Sequence, residues 1–131
     1  MKIIVDKIDK YPCHAICRAD IHLILSSVPP AWTEKVKAVR LSASRSAYSV
    51  ALYNRIDDVL TIASRGHAKD VTLHCLLVEL AAHSLGFKLR TFQHLQARYA
   101  PKVEGLVAPL MDKLLPRLSQ KNTLVNDEDV A

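Results

Sequence analysis

Lys69-Asp70-Val71-Thr72-Leu73-His74-Cys75-Leu76-Leu77-Val78-Glu79-Leu80-Ala81-Ala82-His83-Ser84-Leu85 is the stretch on which the fold turns. Val71, Leu73, Cys75, Leu76, Leu77, Val78, Leu80, Ala81, Ala82 and Leu85 would cover nearly the whole circumference of a helix with apolar side chains. A surface helix keeps one polar side in water; a helix that is apolar all round belongs in the middle of a fold, packed about by other elements. Gly86 supplies the stop, since glycine adopts the left-handed conformation of a helix end without steric cost. Ahead of the helix, Ser64-Arg65-Gly66-His67 marks the change of period.

Between Val36 and Ala63 the apolar spacing shortens. Val36, Ala38 and the run Val39 to Leu41 suggest a first strand, and Tyr48, Val50 and Leu52 then alternate with Ser49, Ala51 and Tyr53. Asn54-Arg55-Ile56-Asp57-Asp58 has turn composition, and Val59-Leu60-Thr61-Ile62-Ala63 completes a hairpin. The three runs predict a small antiparallel three-stranded sheet, one face of which helices must cover.

Earlier still, Pro12 suits the first turn of a helix. Cys13, Ile16, Cys17, Ile21, Ile24, Leu25 and Val28 recur at helical spacing as far as Pro29-Pro30 and predict an N-terminal helix. Beyond Gly86, residues 87–99 read as a connection and a short helix starting near Thr91. Val103, Leu106, Val107, Leu110, Met111, Leu114, Leu115 and Leu118 then form an amphipathic helix, bent at Pro109 and fraying at Pro116. The expected fold is one α+β domain over residues 1–118: an N-terminal helix, the sheet with its hairpin, a buried central helix and C-terminal helices. Residues 119–131, which include Asp127, Glu128 and Asp129, read as a flexible acidic tail.

Composition sets outer bounds. A chain of 131 residues can bury roughly two-thirds of its extended surface, enough for one core without staples and too little for two. With 50% hydrophobic and 24% charged residues, it is neither disordered nor low-complexity as a whole. Cys13, Cys17 and Cys75 are odd in number and form no CxxC pair, unlike an oxidised secreted framework. Met1 to Lys10 has no continuous apolar block of the signal-peptide kind, and no run approaches the roughly 20 residues of a membrane span. A cytoplasmic protein without membrane contact is therefore expected.

The net charge of +5 keeps nucleic-acid binding open as an alternative. Arg40, Arg45, Arg55 and Arg65 fall on or beside the predicted sheet, while Lys88, Arg90 and Arg98 are mixed with Phe92 and Tyr99. No helix-turn-helix, finger or RNA-binding strand signature accompanies them.

Chemistry is best sought where an apolar helix keeps polar residues. At about 100° per residue, Thr72, Glu79 and His83 fall within about 40° of one another, with Cys75 flanking them. Glu79 and His83 are four apart, so they share one patch of helix surface. A carboxylate there must be neutralised, paired or metal-bound. Three readings follow: a buried polar pair acting as structural glue, a solvent-facing stripe with no special role, or a metal site. In the last, Glu79 and His83 are ligands completed by a third group such as His94, His67 or Glu104.

The order helix, small sheet with hairpin, then helix bearing Glu and His resembles the minimal core of the zincin-type metallopeptidases. Leu76 to Gly86 has the texture of their active-site helix. In that family two histidines four apart bind zinc, and the glutamate after the first activates water. Placing His83 at the second histidine puts Glu79 at the first and Leu80 at the glutamate; placing Glu79 at the glutamate puts Val78 and Ala82 at the histidines. Neither register keeps the apparatus. The resemblance thus implies a degenerate scaffold without peptidase chemistry.

The leading expectation is a small non-catalytic binding or regulatory protein that needs no cofactor and engages a protein partner or forms a homodimer. The enzyme alternative is a zinc-dependent hydrolase of non-standard site, with Glu79 as base or ligand, His83 as ligand or acid–base group and Cys75 as a third group. No GK[ST] phosphate loop, G-x-G-x-x-G or G-x-S-x-G element is present.

Overall fold

The computed structural model describes residues 1–8, 11–44, 50–86 and 100–119. Strand β1 (Lys2–Val5) comes first, then helix α1 (Arg18–Ser27) and a 3-10 turn at Pro30–Trp32. Strands β2 (Ala38–Leu41), β3 (Ala51–Asn54) and β4 (Val59–Ile62) follow, then helix α2 (Lys69–Ser84). Helix α3 (Ala100–Leu114) and a 3-10 turn at Leu115–Arg117 close the described chain. The α+β class, the β3–β4 hairpin and the buried central helix agree with the sequence reading.

The sheet departs from it. Four strands lie in the order β1-β2-β4-β3. β1 is parallel to β2, with Ile3 opposite Val39, and β2 is parallel to β4, with Val39 opposite Leu60. Only the hairpin is antiparallel, with Tyr53 opposite Leu60. The expected three-stranded antiparallel sheet is therefore corrected to a mixed one. The extra strand, Ile3-Ile4-Val5 and its neighbour Lys2, is too short for periodicity to reveal. It is held because the amides of Lys2 and Asp6 donate to the carbonyls of Lys37 and Leu41, at 3.1 and 2.9 Å.

The N-terminal helix is corrected as well: it is the second element and starts at Arg18. Residues 11–17 hydrogen-bond to neighbouring segments instead of to one another. His14 Nε2 donates to the Asp6 carbonyl at 2.9 Å, and the Ala15 amide donates to Ser64 Oγ at 3.0 Å. The Asp20 carboxylate accepts the Cys17 amide at 3.1 Å, one half of a capping box, and fixes the first turn there.

Side-chain alternation gives the sheet two unlike faces. Val39, Leu41, Ala51, Tyr53, Leu60 and Ile62 are buried under the helices, whereas Lys2, Ile4, Arg40, Leu52 and Asn54 are exposed on the other side. Ile21 and Ile24 of α1, Leu73, Leu76, Leu77 and Leu80 of α2, and Val103, Val107 and Leu114 of α3 join the buried strand residues in one core, which also takes in Trp32. α2 lies between β3 and α3 and contacts both. It ends as expected: Gly86 has φ +80°, and its amide donates to the His83 carbonyl at 3.0 Å. α3 runs through Pro109 unbroken, with Gly105 at the position a proline ring would crowd.

The Ser119 amide donates to Asp20 Oδ1 at 2.8 Å, so the first residue of the expected tail is tied to α1. Residues 120–131 and the short helix expected near Thr91 lie outside the described residues. Among the described residues no helix is long and apolar enough to cross a membrane.

Candidate functional site

Glu79 sits in the lower half of α2, one turn before His83, and both side chains meet β3 at Tyr53. The carboxylate does not pair with His83, as one sequence reading had it. Glu79 Oε1 accepts the backbone amide of Tyr53 at 2.8 Å, and Glu79 is 5% exposed. The His83 ring stacks on the Tyr53 ring with centroids 3.7 Å apart and planes 23° from parallel. The Tyr53 hydroxyl in turn donates to Asp58 Oδ1 at 2.8 Å, with the Lys35 carbonyl 3.2 Å away as a second acceptor. One tyrosine thus joins the central helix, the edge strand, the hairpin turn and the approach to β2.

The turn is positioned by its own side chains. Asn54 Oδ1 accepts the Ile56 amide at 2.9 Å, and Asp57 Oδ1 accepts the Val59 amide at 3.2 Å. Asp58 has φ +56°, a left-handed conformation that aspartate tolerates better than most side chains.

Electrostatics at this cluster follow from burial. Burial pushes the Glu79 carboxyl up to about 7, against the opposing pulls of the Tyr53 amide and the Arg55 charge. Burial lowers the His83 imidazole, helped by the positive charges of Arg55 and Lys35 and opposed by Asp58. Burial and the Asp58 carboxylate raise the Tyr53 phenol. Burial, and then the charge of Glu79, raises the Cys75 thiol, the opposite direction from an activated thiolate. The His83 Nδ1 atom is buried and has no hydrogen-bond partner among the described residues.

The sequence readings separate clearly against this geometry. Thr72 is satisfied within the helix, its hydroxyl donating to the Ala68 carbonyl at 2.9 Å. Glu104 pairs with His74, not with His83, at 2.7 Å. His94 lies outside the described residues. Among the described residues no three His, Cys, Asp or Glu side chains converge as a metal-binding group. Tyr53, the residue both site side chains touch, was the one the sequence reading missed. The available signal was an aromatic in a strand, ambiguous until the sheet order is known.

Among the described residues, Arg40, Arg55 and Arg65 do not form one patch. Arg40 is held by Asp6 through Nε and Nη2 at 3.0 to 3.2 Å, and Arg65 donates to the carbonyls of Pro12 and Ala43 at 2.9 and 2.7 Å. Burial alone would raise Asp6, but the Ala43 amide and the Arg40 guanidinium together hold it below its usual range. Arg55 is exposed in the turn before β4 while Arg65 follows β4, so the two occupy opposite ends of that strand. Arg45, Lys88, Arg90 and Arg98 lie outside the described residues. No family model, curated protein or solved structure matches the chain.

Proposed function

We propose that this is a small non-catalytic binding or regulatory protein of the cytoplasm, on a zincin-like scaffold that lacks the peptidase apparatus. The observation that carries the reading is the hydrogen bond that Glu79 Oε1 accepts from the Tyr53 amide at 2.8 Å on a side chain 5% exposed. A general base or metal ligand needs a lone pair directed at substrate, water or metal; here one of the two carboxylate oxygens is committed to backbone. The stacking of His83 on Tyr53 supports the same conclusion, because it fixes the ring by packing. Partner binding, to another protein or to a second copy, is the activity left to a scaffold of this kind. The odd cysteine count supports a reducing compartment.

Metal analysis of native protein purified without added zinc tests the proposal, alongside thermal melts of Glu79→Ala and His83→Ala. Substoichiometric metal with lower stability in both variants is expected. Near one zinc or iron per chain, lost together with either side chain, overturns it.

A further inference from the structure

All-parallel sheets occur almost only with both faces covered. Here β1, β2 and β4 run parallel, yet the described helices bring their core residues to one face alone. Two rows of side chains cross the other face. Register sets Ile4, Arg40, Thr61 and Leu52 side by side in one row, and Lys2, Ala38, Val59 and Asn54 in the next. Ile4 is 37% and Leu52 55% exposed. Arg40 is neutralised within the face: its Nη2 donates to Asp6 Oδ2 at 3.0 Å, and its Nε lies 3.2 Å from both carboxylate oxygens. Ile4, Leu52, Ala38 and Val59 make half of the face aliphatic, and Lys2 is its remaining cation.

Such a face is matched by its own reversal. A second copy turned about a twofold axis parallel to the strands lays β1 over β3 and β2 over β4, because the order β1-β2-β4-β3 is then read backwards. Ile4 falls on Leu52 of the second copy and Ala38 on its Val59, while Arg40 falls on its Thr61 and Lys2 on its Asn54. Apolar groups meet apolar groups, each cation meets a neutral acceptor, and no like charges are directly opposed. We propose that the outward face of the sheet is the docking surface for a second copy of this chain, face to face about that axis. Packed sheets keep their strands within about 30° of one another, so the pairs nearest the axis, Arg40 on Thr61 and Ala38 on Val59, keep their register best. Four strands about 4.8 Å apart, each of four residues at about 3.3 Å, give a footprint of roughly 250 Å² per copy. Each partner in a stable interface gives roughly 800 Å², so this dimer is weak and forms at high concentration. The inference rests on the binding reading above for the expectation of a partner, and draws on neither Glu79 nor His83.

Sedimentation velocity on the full chain from roughly 10 μM to roughly 1 mM tests the surface. A sedimentation coefficient that rises over this range is expected, with concentration-dependent amide shifts gathered on Ile4, Arg40, Thr61 and Leu52. Leu52→Lys brings a charge onto Ile4 of the second copy and should weaken association at least about tenfold. Ile4→Lys, at the other end of the same row, should do the same. Asn54→Asp keeps the oxygen that accepts the Ile56 amide and sets an anion opposite Lys2. It should tighten association about two- to fivefold, a gain that Lys2→Ala removes. A chain that stays monomeric at the highest concentration, its sheet face left to a different protein, overturns the proposal. So does association that both lysine variants leave untouched, or amide shifts that gather elsewhere. Zinc held by Glu79 would overturn the functional reading and leave self-association through the sheet standing.

Discussion

At Glu79 the hydrogen bond and the charge can be separated by two substitutions. Glu79→Ala removes the acceptor from a buried amide and leaves a void, which should cost about 2–4 kcal/mol in chemical denaturation. Glu79→Gln keeps an acceptor oxygen and should cost less than about half of that. The pH dependence has a definite sign. Raising the native carboxyl from 4.5 to about 7 means that the native state holds the proton longer than the unfolded chain. The stabilising effect is complete below about 4.5 and is lost as pH rises through about 7, by an amount on the order of 3 kcal/mol. His83 acts oppositely: its lowered value means stability is lost as pH falls below its ordinary 6.5. Denaturant midpoints of wild type should therefore fall between pH 4.5 and pH 7, following the larger Glu79 shift. In Glu79→Gln the slope should reverse and follow His83. An unchanged slope in that variant would show that the carboxyl titrates normally.

Among the elements, α2 was legible because apolar residues nearly all round a helix leave a pattern no other element leaves, and Gly86 ended it where its φ of +80° allows; Val71, at 44% exposure, is one apolar residue of that pattern that the fold leaves in water. Gly86→Ala should cost about 1 kcal/mol, since the strain is in the backbone and no neighbour within 4 Å crowds the new methyl group. A loss near zero in thermal unfolding would mean that the last turn refolds around it. The β3–β4 hairpin was legible from its turn residues. β1 was not, because parallel pairing needs no adjacent turn and Ile3-Ile4-Val5 is shorter than two periods of alternation. The phase of β3 was equally hidden: Leu52 and Tyr53 are both apolar enough for the core, and only the sheet order decides that Tyr53 faces α2 and Leu52 faces water. For the same reason Glu79 and His83 could be grouped by spacing while their shared partner could not be named. The start of α1 was misplaced because Cys13 and Ile16 continue its apolar spacing, although their segment is bonded to Asp6 and Ser64.

Across the whole molecule, one core joins residues from three helices and the sheet among the described residues. Trp32, the single tryptophan, is buried in that core at 6% exposure and reports on it directly. Its fluorescence change should coincide with the loss of far-ultraviolet circular dichroism in one transition. Two separated midpoints would divide the molecule into parts that melt independently.

Asp20 gives this unity an order in time. Its two carboxylate oxygens accept the amides of Cys17 and of Ser119, so the opening turn of α1 is completed by a residue near the far end of the described chain. During synthesis the ribosome releases α1 long before Ser119. Until then the nascent protein carries a helix start with one carboxylate oxygen waiting for its mate, and a chaperone meeting it early meets an unfinished seam.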